Sequence, residues 1–423
     1  MTASKQKLVI IGNGMAPGRA LEKLFAAAPG AFDVTIFNAE PRVNYDRIML
    51  SPLLSGEKSF DDIVIHGDGW YIRNGVTLYK GAKVASIDRN RRTVTSQQGI
   101  SASYDKLVIA TGSMPIILPV PGHKLPGVLT YRDLDDVKAM ILAAQSRGRA
   151  VVIGGGLLGL EAAAGLAERG MHVTVVHLMS TLMERQLDAT AGELLKQELE
   201  RRGIRVLTGA NTKSILGSER VEGVELADGQ ILKASLVVMA VGIRPNAALA
   251  KEAGLAVNRG IVVDDTMRTS DPNVFALGEC AEAASQVFGL VAPLYEMANV
   301  LAAQLIGDRG VTFNPSATAT KLKVTGINLF SAGDFAEGPG REEAVLQDAQ
   351  GGVYKRLVLK DSRVIGAVLY GDTRDGGFVF DLIGSGRDIA AIRDTLIFGA
   401  SYCTADSDGA ETTVDPADSL RAA

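Results

Sequence analysis

The sequence predicts an α/β fold in which one parallel-sheet unit is used twice and is followed by a smaller α+β portion. Three observations predict it. An apolar strand, a glycine-rich turn and a helical segment follow one another near residue 12, and the same order returns near residue 154. Each copy then closes on a further apolar strand with a glycine just beyond its end. The stretch after residue 313 instead carries short strand patterns, at 321–324 and 354–360.

The first copy begins with the apolar run 8–11 (LVII) and turns through Gly12, Asn13, Gly14, Met15, Ala16, Pro17 and Gly18. It continues as a helix over 19–28 and reaches a second strand at 33–37. Runs that are apolar throughout suit strands buried on both faces, as in a parallel sheet. The second copy has 150–153 (AVVI), then Gly154, Gly155, Gly156, Leu157, Leu158, Gly159, Leu160 and Glu161, a helix to about residue 169 and a strand at 172–177. The closing segments are 106–112 (KLVIATG), ending in Ala110, Thr111 and Gly112, and 235–242 (SLVVMAVG), ending in Gly242. A glycine turn between strand and helix lets the backbone approach a pyrophosphate, whose charge then meets free N–H groups at the helix N-terminus. One such turn is a weak signal. Two, each in the same setting, predict two Rossmann-like dinucleotide-binding domains built to one plan.

Both copies depart from the G-x-G-x-x-G pattern. In the first, Pro17 takes the third glycine position and Gly18 follows, so close helix-to-strand packing is expected one residue later. Proline is tolerated there because its missing N–H has no intrahelical partner in a first turn. Where an acidic residue would bind ribose hydroxyls, Asn38 stands, and the role passes to Glu40; the alternative is a carboxylate in a solvated loop. The matching position in the second copy is His177, which lacks the carboxylate that favours an unphosphorylated ribose. Arg185 is placed to meet a 2′-phosphate or, equally, to form an ion pair on a helix surface, so NADH against NADPH stays open.

Composition narrows the function classes. At ~150 residues per domain, 423 residues suggest about three domains. Lys and Arg number 44 against 48 Asp and Glu, so no global basic field favours nucleic acid or an anionic membrane. The most apolar stretch, 150–167, contains Glu161 and several glycines and reads as strand, turn and helix rather than a membrane span. Residues 1–7 lead only into a short apolar run, unlike a secretory signal, so a cytoplasmic location is expected. The two cysteines, Cys280 and Cys403, form no C-x-x-C pair and no cluster-ligand set, and His66, His123, His172 and His177 show no paired metal spacing. No metal site is expected.

Five further segments converge on a family: 44–51 (NYDRIMLS), 104–112 (YDKLVIATG), 240–246 (AVGIRPN), 274–281 (VFALGECA) and 292–298 (APLYEMA). With the two glycine turns they resemble the FAD-dependent pyridine nucleotide oxidoreductases of the glutathione-reductase-like fold, over roughly residues 5 to 310. Together with 289–302 (GLVAPLYEMANVLA) and 319–334 (ATKLKVTGINLFSAGD), the NYDRIMLS loop looks most like the flavin portion of assimilatory NAD(P)H nitrite reductase large subunits. Electron-transfer components of nitrate reductases and NADH:rubredoxin reductases are similar. The redox cysteines of the disulfide reductases are missing from 40–56, which disfavours sulfur chemistry.

The resemblance implies FAD at the first turn and NADH or NADPH at the second. It divides the chain into an FAD domain over 1–116 and 245–312, an inserted NAD(P)H domain over 117–244 and a C-terminal interface domain over 313–403. The tail 404–423 is expected to be disordered. Gly278 and Glu279 match the segment that contacts the FAD pyrophosphate and ribityl chain; alternatively Glu279 caps a helix after Cys280. Arg47 approaches the flavin in look-alikes, with a loop salt bridge as the other reading. Glu161 orders the nicotinamide end or caps its helix. Pro293 before Leu294 marks a helix start whose positive end suits an anionic reduced flavin. Lys321 and Lys323 alternate on a strand, facing flavin, an acidic partner or solvent. Catalysis then needs no protein group beyond the flavin, because hydride transfer is a positioning task. The implied activity is NAD(P)H oxidation with electrons passed to a separate iron–sulfur or sirohaem protein in nitrate or nitrite assimilation, and a homodimer is compatible with it. The alternatives are a rubredoxin or ferredoxin reductase and, from another class, an NAD(P)H-responsive flavin redox sensor or scaffold.

Overall fold

A computed structural model describes residues 5–315, 320–324, 326–348 and 350–403, with backbone alone at 320–324. The chain forms two compact units, one up to residue 318 and one from 319 onward.

The first unit contains two five-stranded parallel sheets. One runs in the order Val274–Ala276, Lys106–Ile109, Gln6–Ile11, Phe32–Asn38, Val76–Lys80. The other runs Val128–Thr130, Leu236–Met239, Arg149–Ile153, His172–Val176, Arg205–Leu207. The repeat read from the sequence is thus a repeat of sheet topology, and the fold class stands. Leu8, Val9 and Ile10, like Val151, Val152 and Ile153, are buried because helices or loops cover both faces of each sheet. The outer strand Val274–Ala276 comes from beyond the second sheet, so the chain leaves the first sheet, builds the second and returns. Outgoing and returning segments pair antiparallel as Ser113–Pro115 and Ile243–Pro245.

Each glycine turn opens a helix, Met15–Ala27 in the first copy and Leu157–Glu168 in the second. The short helix Leu50–Ser55 lies against Leu157–Glu168, where a Cβ at Gly165 would come within 2.7 Å of Leu54 Cγ. That close packing carries the NYDRIMLS segment onto the second helix. After Cys280 the chain forms a strand, Ala281–Ala283, and not the helix considered for it, because it pairs with Ile261–Val263. The helix expected near Pro293 is present as Val291–Leu305.

The second unit is a five-stranded antiparallel sheet carrying the helix Gly376–Ser385. Thr320–Val324 and Val353–Lys360 are strands, as expected. The side chains of Lys321 and Lys323 and the whole of 404–423 lie outside the described residues.

Candidate functional site

The first turn is built by backbone that only glycine tolerates. Gly12 has φ +108°, and a Cβ there would lie 2.2 Å from the Ala110 carbonyl oxygen. Gly14 starts the helix in an extended conformation with no side chain capping it, and a Cβ there would meet nothing within 4 Å. The helix start at Met15 and Ala16 therefore has no side-chain cap, the feature an anionic pyrophosphate requires. The second turn repeats this. Gly154 has φ +120° and would clash with the Ala240 carbonyl, while Gly156 is an uncapped helix start with nothing beside it.

At the third glycine position the copies differ. A Cβ at Gly159 would sit 2.0 Å from the Gly154 carbonyl, the expected close packing of helix on turn. In the first copy that packing does not move to Gly18. A Cβ at Gly18 would instead meet Asn44 Nδ2 at 2.8 Å and the His66 ring. Glycine is needed there so that the helix can approach the Asn44–Tyr45 strand, and this corrects the expected shift in helix-to-strand contact.

Distant segments gather around the first turn. Gly278 places its Cα so that a Cβ would touch Ala16 Cβ at 3.4 Å. Glu279 accepts a hydrogen bond from Ser113 Oγ at 2.9 Å and forms an ion pair with Arg132. Glu40, far from being solvated, pairs with Arg47 and accepts from Tyr45 Oη at 2.9 Å. Arg47 also donates to the Arg132 carbonyl at 3.0 Å, so Glu40, Arg47, Arg132 and Glu279 form one connected charged group. Burial pulls the Arg47 pKa down, but the neighbouring Tyr45 and Glu40 more than offset it. Thr111 Oγ1 donates to the Asn246 carbonyl at 2.6 Å, tying the two crossing segments together beside Gly112.

Arg132, Tyr45 and Asn44 were not singled out as site residues from the sequence. A signal for Arg132 did exist: the next residue, Asp133, caps the helix Leu134–Ala144 by accepting from the Asp135 and Asp136 amides. Such a start marks where a loop side chain stands at a helix end.

Around the second turn, His177 folds inward. Its Nδ1 accepts the Gly155 N–H at 3.0 Å, and its Nε2 faces the Thr181 carbonyl at 3.0 Å and Glu184 Oε2 at 3.1 Å. Arg185 is exposed in a turn, not on a helix, and has no ion pair among the described residues. Glu161 does not cap its helix. It accepts from Ser51 Oγ at 2.6 Å, and Ser51 lies 2.9 Å from the Tyr131 hydroxyl. Burial pushes the Glu161 carboxyl up from 4.5 to about 7, against the opposing pull of the Ser51 hydrogen bond. Gly242 has φ +112°, as Gly112 has +66° in the first copy.

Both cysteines are free thiols, and Cys280 is buried with Sγ directed at the Ile109 and Leu277 carbonyls. Among the described residues no helix is long and apolar enough to cross a membrane.

Two uncapped glycine turns each open a helix beside a parallel sheet, and the first sheet is completed by a returning strand. Residues 6–307 match the pyridine nucleotide-disulphide oxidoreductase family, and residues 319–387 match the rubredoxin NAD+ reductase C-terminal domain. The chain belongs to the pyridine nucleotide-disulphide oxidoreductase family, and the expectation of an NAD(P)H-dependent oxidoreductase holds at that level. It is 47% identical to a nitrite reductase [NAD(P)H] of Bacillus subtilis over 91% of this chain and 48% of that protein. It is 44% identical to the assimilatory nitrate reductase electron transfer subunit of the same organism, over 93% and 51%. The chain thus spans about half the length of these relatives. The crystal structure of NADH:rubredoxin oxidoreductase from Clostridium acetobutylicum superposes with a TM-score of 0.78 at 28% identity, covering 92% of this chain and 97% of that one.

Proposed function

We propose that this chain is an FAD flavoprotein that oxidises NADH or NADPH and passes the electrons to a separate iron–sulfur or sirohaem protein in nitrate or nitrite assimilation. The observation that carries the reading is the pair of uncapped glycine turns, of which the first is joined by Gly278 and Glu279 from the returning segment. Gly12, Gly14, Met15 and Ala16, with Ala110, Thr111, Gly112 and Gly278, fit the FAD pyrophosphate. The open space beside Gly14 is what that group would fill. Glu40 would take the ribose hydroxyls, held in place by Tyr45 and Arg47. Arg132 would bring positive charge to the phosphates while Ser113 orients Glu279. When bound, FAD accepts the two electrons of a hydride and releases them one at a time.

At the second turn Gly154, Gly156, Leu157, Leu158, Gly159 and Gly242 would hold the NAD(P)H pyrophosphate, with Glu161 beneath them on the same helix. The sheet containing the returning strand Val274–Ala276 is then the FAD domain, and the sheet inserted before it is the NAD(P)H domain. The B. subtilis relatives support the nitrogen-assimilation setting. A second reading, reduction of a rubredoxin, is favoured by the match of residues 319–387.

Anaerobic addition of NADH or NADPH to the purified chain should bleach a bound flavin spectrum; absence of bleaching would remove the reading. Turnover is expected with a dye acceptor and not with nitrite alone. Nitrite reduction by this chain unaided would overturn the separate partner.

A further inference from the structure

The end of the strand His172–Val176 is where a dinucleotide fold commonly presents an acidic residue to the adenosine ribose. Here the strand is followed by His177, and the imidazole does not project toward a ligand. It lies against the glycine turn so closely that a Cβ at Gly155 would come within 2.7 Å of His177 Cγ. Because Nδ1 accepts the Gly155 N–H, the ring hydrogen sits on Nε2, which points at the Thr181 carbonyl and the Glu184 carboxylate. A carboxylate is therefore present at the strand end after all, brought there by residues 181–187.

The turn that delivers it is held to the pyrophosphate loop itself. The Met183 N–H donates to the Gly155 carbonyl at 3.0 Å, and Met183 is buried with φ +51°. A left-handed methionine is uncommon, and surrounding structure must hold it there. Gln186 and Leu187 close the turn onto the Met183 carbonyl, at 2.7 and 2.9 Å. The Glu184 side chain keeps 35% of its surface exposed, so lone pairs remain free beyond the one met by His177.

We propose that Glu184 makes this chain select NADH over NADPH, with His177 as the residue that positions it. A ribose 2′-hydroxyl donates to such a carboxylate, whereas a 2′-phosphate is repelled by it. Arg185, the exposed cation next in sequence, is the residue that would oppose this preference. The inference rests on the reading that the second glycine turn holds the nicotinamide nucleotide.

The test compares equilibrium binding of ADP-ribose and 2′-phospho-ADP-ribose to the flavin-loaded chain by calorimetry, alongside kcat/KM for NADH and NADPH. The expected result is tighter binding of ADP-ribose by about tenfold or more. Glu184→Gln and His177→Ala should each bring that ratio toward one, with the loss carried by the KM for NADH, and the bound flavin spectrum reports that each variant is folded. Equal or tighter binding of the 2′-phosphate, or an unchanged ratio in Glu184→Gln, overturns the assignment while leaving the nucleotide site in place. Binding of neither ligand overturns both.

Discussion

The Asn44 side-chain amide donates a hydrogen bond to the Gly14 carbonyl at 2.7 Å, and the same nitrogen reaches the Asn13 carbonyl at 3.1 Å. Two carbonyls of the first turn are thereby held by one side chain, the Gly14 carbonyl also accepting the Gly18 N–H at 3.2 Å. The first glycine turn is thus tied to a residue thirty positions along the chain.

Replacing Asn44 with Ala removes the side-chain donor to both carbonyls, leaving Gly14 only the Gly18 N–H at 3.2 Å, at a cost of about 1–3 kcal/mol. FAD retention through desalting should fall together with thermal stability. Retention unchanged in a destabilised variant would show that the turn keeps its orientation without this bond.

Arg132 and Glu279 form a second long-range link, and breaking either side leaves a half-buried charge unpaired. Glu279→Ala and Arg132→Ala should each lower FAD affinity and stability. The double variant should recover part of the stability, because no lone charge remains, but none of the affinity. Denaturation midpoints and flavin fluorescence titration separate the two effects.

Gly156 and Gly159 look alike in sequence and should behave differently. Gly156→Val finds open space and an extended backbone, so the chain should fold, keep FAD and show a raised KM for the nicotinamide nucleotide. Gly159→Ala drives a Cβ into the Gly154 carbonyl and should destabilise the whole domain by about 1–3 kcal/mol. Loss of FAD from Gly156→Val would reverse the assignment of the two turns.

Glu161 makes stability depend on pH. Its carboxyl is raised to about 7 in the folded chain, so the folded state holds the proton more tightly than the unfolded state. Stability then falls as pH rises from about 4.5 to 7, and the full penalty is present above that range. Glu161→Gln does not titrate and keeps an acceptor for Ser51. It should be more stable than the parent at pH 8 by roughly 1–3 kcal/mol, with the difference vanishing near pH 4. Urea unfolding of the flavin-free chain at the two pH values measures this; an equal difference at both would rule out burial as the cause.

The return of 274–276 to the first sheet is what the family resemblance implies, whereas the glycine turns and the order of the two sheets are legible in the residues themselves. Each rests on a local demand: positive φ at Gly12 and Gly154, an uncapped helix start at Gly14 and Gly156, and apolar runs that only a covered parallel sheet can bury. Tertiary structure decided the rest. Strand pairing with Ile261–Val263 on one side and Gln286–Val287 on the other turned 281–283 from a plausible helix into the central strand of a small sheet. Packing of Leu54 on Gly165 brought Ser51 to Glu161, and folding of 177–187 against Gly155 turned His177 inward and brought Glu184 to the strand end. Local propensity determines where a turn or helix begins. Which side chains meet across segments is set by the angle and distance at which those elements pack.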